Sequence, residues 1–174
     1  EKSYTLNRIL NRERLSPEGQ RSIAKKISHR RKKIFTEAIK HQPIYSKIID
    51  EIYETIQKEQ HDTPMLHELS DIVYLEGKGL ERFKEEFMKK KASHKDTCLA
   101  KLLEKTDFRA DYYDKVISWS QKNAPYIYQG KPGLARVLSE IESYKKEMVE
   151  RNMRLVPYVI KKFFHIPEHL TFDD

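Results

Sequence analysis

An asparagine stands in this chain where a helical pattern predicts an apolar residue. In residues 145–163, KKEMVERNMRLVPYVIKKF, Met148, Leu155 and Val159 fall on one stripe, and Asn152 lies on that stripe between the first two. An amide that is buried without a partner costs about 1–3 kcal/mol. Three roles for Asn152 are therefore open. It sets helix register, as single asparagines do in coiled coils, or it faces a water-lined groove, or it hydrogen-bonds a ligand.

Positive charge is concentrated near the start of the chain. Residues 21–33 hold seven Lys and Arg, Lys25 and Lys26 among them, and no acid. The net charge of the chain is +7. Residues 1–41 carry +8, and the rest of the chain carries −1. Such a localised excess indicates a polyanionic partner, although basic runs also serve as solvated helix faces. Phosphate contacts alone give non-specific binding, with a Kd of about 10⁻⁴–10⁻⁶ M.

No combination of residues predicts a catalytic or metal site. His165 and His169 are four residues apart, but Pro167 lies between them, and the single cysteine, Cys98, is distant in sequence. The stretches EGKGLER and QGKPG lack the spacing of a phosphate-binding loop. We therefore expect no enzymatic activity, no cofactor and no bound metal. A lone cysteine, unable to form an internal disulfide, fits a cytoplasmic location.

Long helices must position these residues. Only 5 glycines occur in 174 residues, and most prolines lie between periodic segments, which predicts an all-α fold. Ser16 before Pro17 is a typical helix start. The connector APYIYQGKPG precedes the longest helix candidate, about residues 133–164, in which Pro157 predicts a kink. We expect neither a membrane-spanning helix nor a signal peptide, because no long apolar run is present.

Both ends of the chain resemble one protein family. Residues 144–174, YKKEMVERNMRLVPYVIKKFFHIPEHLTFDD, are similar to region 2.1 of the bacterial sigma factors of the sigma-seventy family, approximately K-K-x-M-V-E-x-N-L-R-L-V-x-x-I-A-K-K-Y. Residues 15–27, LSPEGQRSIAKKI, resemble region 1.2 of that family, approximately L-T-x-E-G-E-x-x-I-A-K-R-I. The residues in register with the first pattern are Lys145, Lys146, Met148, Val149, Glu150, Asn152, Arg154, Leu155, Val156, Lys161 and Lys162.

The resemblance implies an organisation for the chain. A long C-terminal helix packs on an N-terminal basic helix in a helical bundle, and a helical insertion lies between them. Residues 1–41 form the basic segment similar to region 1.2, residues 42–131 the variable insertion, and residues 132–174 the long helix similar to region 2.1. Thr171, followed three residues later by Asp174, resembles a helix-capping pattern. We therefore expect that the chain is truncated where the next element begins.

The resemblance also implies a function. Sigma factors bind core RNA polymerase, here through its beta-prime subunit, and direct promoter recognition and transcription initiation. This part contacts the non-template single strand at the −10 end and the discriminator. The expected DNA-binding residues are Tyr4, Leu6, Gln20, Lys25, Lys26, Asn152 and Leu155, the two lysines coming from the basic run; the expected core-polymerase-binding residues are Met153 and Val156.

Gln20 departs from the family pattern. The family has an acid at this position, which lines a pocket for the last thymine of the −10 element together with the residues that match Asn152 and Leu155. A glutamine can still hydrogen-bond a base edge. Two alternatives remain open. The chain could be a stand-alone helical regulator, or a non-specific nucleic-acid-binding module that mimics a sigma helix.

Overall fold

The computed structural model describes residues 15–61, 68–93 and 96–152. Every regular element in these ranges is a helix, apart from one isolated antiparallel bridge between Val73 and Phe108. The predicted all-α fold is confirmed. The helices are α1 (Pro17–Ala38), α2 (Gln42–Gln60), α3 (Leu69–Ile72), α4 (Lys78–Ala92), α5 (Asp96–Lys105), α6 (Ala110–Asn123), α7 (Tyr126–Gln129) and α8 (Pro132–Asn152).

Helix α1 begins as its sequence predicts. Pro17 is its first residue, and the Ser16 hydroxyl accepts a hydrogen bond of 3.0 Å from the backbone N–H of Gly19. This bond satisfies one of the free N–H groups at the helix start. Ile23 and Ile27, one turn apart, are both buried. The local pattern therefore fixes both the start of α1 and the face that it buries.

The described chain forms two compact units. Residues 15–29 and 138–152 belong to the first unit, and residues 30–137 belong to the second. The boundaries between the units thus fall inside α1 and inside α8. The predicted division of the chain after residues 41 and 131 remains a prediction.

In the first unit, α8 packs on α1. The side chains of Gln20 and Asn152 are hydrogen-bonded across the two helices, and the ammonium of Lys26 lies 5.4 Å from the ring centroid of Tyr144. Ile141 is buried on α8. The expected packing of the long C-terminal helix on the basic helix is confirmed. The kink predicted at Pro157 lies outside the described residues.

The second unit is built on an apolar face of α2. Ile44, Ile48, Ile52 and Ile56 recur every fourth residue and are each no more than 2% exposed. This spacing keeps the four side chains on one face of the helix. Pro43 lies at the start of α2, where a proline costs no intrahelical hydrogen bond.

Aromatic rings also contribute to the core of the second unit. The ring centroid of Phe35 lies 4.8 Å from that of Phe108 and 5.4 Å from that of Tyr113. The backbone bridge between Val73 and Phe108 holds one of these rings in place. All four of these residues are buried. Within the described ranges, no helix is both long enough and apolar enough to cross a bilayer.

Buried tyrosines make the stability of the fold sensitive to alkaline pH. Burial, and then the nearby Asp96, raise the pKa of Tyr45 to about 12. Because a protonated Tyr45 is favoured in the folded state, its contribution to stability is complete below a pH of about 10 and is lost as the pH rises through about 12. We expect the urea midpoint to fall over this interval, and to fall less in Tyr45→Phe.

Part of the alkaline effect should survive in Tyr45→Phe. Burial also raises the pKa of Tyr112, Tyr113 and Tyr128. The measurement is a series of urea unfolding curves for wild type and variant across that pH interval. Identical slopes of midpoint against pH in the two proteins would contradict the role given to Tyr45.

Candidate nucleic-acid interface

A pair of amides joins the two helices of the first unit. Nε2 of Gln20, on the first turn of α1, donates a hydrogen bond of 3.1 Å to Oδ1 of Asn152 on α8, across 132 residues of sequence. Nδ2 of Asn152 donates to the carbonyl oxygen of Met148 at 2.8 Å. Both amide side chains are half-buried. Asn152 is therefore held between two helices without being sealed inside the protein.

The amide pair keeps unused hydrogen-bonding capacity. Nε2 of Gln20 also donates to the carbonyl oxygen of Leu15 at 3.4 Å, so both of its hydrogens are engaged. Its Oε1 accepts no hydrogen bond from the described residues, and one N–H of Asn152 is likewise unengaged. No buried side-chain nitrogen or oxygen in the described ranges lacks a partner, so Oε1 of Gln20 is accessible to water.

Two of the seven basic residues in the run at 21–33 are engaged in ion pairs of the second unit. Arg31 binds both carboxylate oxygens of Asp114, at 2.8 Å and 2.5 Å. Lys32 binds Asp107 at 2.5 Å. Acids of the same unit neutralise the charge of these two residues, so neither is available to a polyanion in the way that an unpaired basic residue is.

Two other members of the basic run, Arg21 and Lys25, remain open to a polyanion. Arg21 and Lys25 are exposed, and neither forms an ion pair within the part of the chain that the structure describes. Lys26 is also exposed and stacks its ammonium on the ring of Tyr144, an attraction worth about 0.5–1 kcal/mol at an exposed site. Lys25 follows Gln20 by five positions, a rise of about 7.5 Å along α1 and a turn of about 140° around it.

Helix α8 adds little net charge beside the amide pair. Three of its basic residues pair with acids about one turn away: Lys145 with Glu142 at 3.2 Å, Lys146 with Glu150 at 3.7 Å, and Arg151 with Glu147 at 3.1 Å. These contacts lie along one helix and are mostly exposed, so each contributes only a few tenths of a kcal/mol, about 0.3–0.5. Among the described residues of the first unit, the exposed basic side chains without an ion pair are therefore on α1.

The structure brings four of the predicted site residues into one unit. Gln20 and Asn152 are in direct contact, and Lys25 and Lys26 lie further along the same helix as Gln20. The remaining predicted residues lie outside the described ranges: Tyr4, Leu6, Met153, Leu155 and Val156. Within the described part of the chain, no group of three His, Cys, Asp or Glu side chains is arranged to hold a metal ion.

Sequence reasoning did not select Tyr144. This tyrosine is half-buried, eight residues before Asn152 on α8, and it contacts Lys26 on the basic helix. A spacing of eight residues is two helical turns and a little more, so Tyr144 and Asn152 lie on neighbouring sides of α8. The spacing of eight residues from Asn152 is the sequence signal that could have selected Tyr144. Tyr144 lies beside the apolar stripe of α8 and not on it, so the stripe alone does not identify it.

No protein-family model, no curated protein and no solved structure matches this chain. What the structure itself provides is a half-buried amide pair between α1 and α8, and exposed basic residues elsewhere on α1.

Proposed function

We propose that this chain is part of a bacterial sigma factor of the sigma-seventy family. It binds core RNA polymerase through the beta-prime subunit and contacts the non-template single strand at the −10 end and discriminator of promoters. It is a binding module and not an enzyme. The observation that supports this most strongly is the 3.1 Å hydrogen bond between Gln20 and Asn152, because it joins the two segments whose motifs resemble regions 1.2 and 2.1.

The chemistry of the amide pair suits an unpaired base. A base taken out of the stack is held by apolar walls and a few hydrogen bonds to its edge. Counting the described residues alone, the pair offers an accessible acceptor on Gln20 and an unengaged N–H on Asn152. Both residues are half-buried, so one side of the pair contacts protein and the other side is accessible to a ligand.

The exposed positive charge of α1 suits the phosphate backbone of the same strand. Single strands are held by basic grooves that follow the backbone and by contacts to the bases. Arg21 and Lys25 are exposed on the same helix as Gln20. The phosphates set the affinity, and the amide pair supplies the preference for one base.

A titration of single-stranded DNA tests this function. Fluorescence anisotropy at low salt compares three labelled DNAs: a single strand with the −10 element, the same strand with its last thymine replaced by an abasic site, and the duplex. We expect the intact strand to bind at least fivefold more tightly than either competitor. In a second arm, the chain should bind core RNA polymerase and be displaced by a full-length sigma factor of this family.

Two outcomes would contradict the proposal. Equal affinity for all three DNAs, with a steep dependence on salt, favours a non-specific nucleic-acid-binding module. Absence of both DNA binding and polymerase binding favours a stand-alone helical regulator.

The lysine on the exposed face of α1 should act through phosphate alone. Lys25→Ala is expected to weaken binding to all single strands about equally, and to lower the slope of log K against log salt by about 0.7 per lost contact. The matched control is Arg31→Ala, since Arg31 is engaged by Asp114. That change should leave the salt slope unaltered and lower the free energy of unfolding by about 1–3 kcal/mol. The proposed interface would be contradicted if Lys25→Ala left the salt slope unchanged and Arg31→Ala lowered it.

A further inference from the structure

We infer that the outer face of α4 binds the phosphate backbone of double-stranded DNA without sequence preference. This face is defined by Lys78, Arg82 and Lys89, and it belongs to the second unit. The inference goes beyond the proposed function, which concerns an unpaired strand and the residues of the first unit. It depends on how burial and ion pairing divide the basic residues of α4.

The basic residues of α4 fall into two sets. Three of them are half-buried and paired with acids, in the contacts Lys84–Glu59 at 2.9 Å, Lys90–Glu86 at 3.0 Å and Lys91–Asp50 at 3.7 Å. The other three, Lys78, Arg82 and Lys89, are exposed and form no ion pair with any residue in the described ranges. Packing therefore neutralises the first set and leaves the second set charged at the surface.

The three exposed residues lie on one narrow face of the helix. At about 100° per residue they fall within an arc of about 40°, and they span about 16 Å of the helix axis. Phe83 and Phe87, which are buried, lie on the opposite side of α4. One exposed acid, Glu85, shares the outer face, so three positive charges and one negative charge leave a net charge of +2.

This face suits a partner that is attracted by charge alone. Protein interfaces need aromatic or apolar anchors at their centre, and the exposed large hydrophobic residues of the described ranges, Tyr74, Tyr126 and Val149, all lie outside α4. A helix that binds a membrane inserts its apolar face, but Phe83 and Phe87 are buried in the protein. The outer face of α4 therefore fits neither a protein partner nor a lipid surface.

A duplex fits this face better than a single strand does. Single strands are held largely by stacking of their bases on aromatic side chains, and the aromatic residues of α4 are on its buried side. A duplex carries one phosphate per about 3.4 Å of each strand, so a face of about 16 Å extends along roughly five phosphates. Lysine and arginine bind such phosphates whatever the base sequence.

A titration with duplex DNA tests the role of this face. Fluorescence anisotropy measures the binding of a short labelled duplex of arbitrary sequence by wild type and by the double variant Arg82→Gln, Lys89→Gln. We expect the affinity at low salt to fall about tenfold or more, and the slope of log K against log salt to fall by about 1.8, at about 0.9 per lost phosphate contact. A second duplex of unrelated sequence should show the same loss.

The matched control removes the same charge from the paired side of α4. The double variant Lys90→Gln, Lys91→Gln also lowers the net charge by two, but Glu86 and Asp50 engage these lysines. Its duplex affinity should change less than about threefold, because salt screens charges that do not contact the DNA. Arg82→Lys with Lys89→Arg keeps the charge and should bind as wild type does. Circular dichroism of each variant verifies that the helices are retained.

Two results of this comparison would overturn the inference. Equal losses in the two glutamine variants would show that net charge, and not the outer face of α4, decides duplex binding. Full duplex affinity in Arg82→Gln, Lys89→Gln would show that the DNA is held elsewhere.

Two further measurements separate this inference from a membrane partner and from the proposed function. The inference is overturned if vesicles of phosphatidylserine and phosphatidylcholine bind wild type but not Arg82→Gln, Lys89→Gln, while duplex affinity is equal in the two proteins. In that variant the preference for the thymine strand over the abasic strand should be unchanged. If wild type binds those two strands equally, the proposed function fails, but a loss of duplex binding in the variant still supports the face on α4.

Discussion

Replacing Phe35 with alanine is expected to lower the free energy of unfolding by about 3–5 kcal/mol. Phe35 is 1% exposed, and its ring contacts those of Phe108 and Tyr113 at centroid distances of 4.8 Å and 5.4 Å. The loss combines the transfer of the ring to water, the cavity left behind, and two aromatic pairs worth about 0.5–1.5 kcal/mol each. Urea denaturation followed by circular dichroism measures it.

An exposed aromatic residue of the same unit provides the control for Phe35. Tyr126 is 50% exposed, and its ring meets His41 edge-on with the centroids 5.4 Å apart. Tyr126→Ala should cost less than about 1 kcal/mol, since surface substitutions away from special features have small effects. A loss of less than 1 kcal/mol in Phe35→Ala would show that the aromatic cluster does not stabilise the second unit as its burial indicates.

Asn152→Ala is expected to reduce affinity for the single strand with the −10 element about tenfold or more. The reason is that the change removes one hydrogen-bonding partner of the base in the proposed complex and leaves the opposing groups unpaired. The same change deletes the hydrogen bond to Gln20, which should lower the free energy of unfolding by only about 0.5–1.5 kcal/mol. The measurements are anisotropy titrations and urea unfolding on the same preparations.

Asn123 offers a matched control for Asn152. Its Nδ2 donates to the carbonyl oxygen of Trp119 at 2.9 Å, the same bond to the preceding turn that Asn152 makes with Met148. Asn123 is exposed on α6 and has no hydrogen bond to another helix within the described ranges. Asn123→Ala should leave DNA affinity unchanged.

The comparison of stability with affinity separates the two interpretations of Asn152. If Asn152→Ala lowers stability and leaves affinity unchanged, the asparagine sets helix register alone. If affinity falls and stability falls only slightly, the amide binds a ligand. A polar residue on an apolar stripe indicates either role, so only this paired measurement decides between them.

The all-α fold and the local features of its helices were predictable from the sequence. The period of Ile44, Ile48, Ile52 and Ile56 predicts a buried helical face, and all four side chains are buried. The hydroxyl of Ser16 caps α1 as its position before a proline predicts. These features depend on residues within one or two turns of each other, so a short stretch of sequence is enough to predict them.

The partners of the charged residues were not predictable in this way. Seven basic residues in one run look alike in sequence, yet Arg31 is bound by Asp114, 83 residues away, and Lys25 forms no ion pair within the described ranges. Which acid meets which base depends on how α1 and α6 pack. A helical period specifies a face of one helix, but it does not specify the side chain opposite that face.

By itself, the sequence determined an all-α protein with a localised positive charge and an asparagine on an otherwise apolar stripe. The resemblance implied that Gln20 and Asn152 lie together, but only the tertiary structure decided how they meet: Nε2 of Gln20 donates to Oδ1 of Asn152, across 132 residues, and both amides are half-buried. The physical reason is the range of the interactions. Helix formation and capping act between near neighbours along the chain, whereas a hydrogen bond between two helices exists only after their buried faces have packed together.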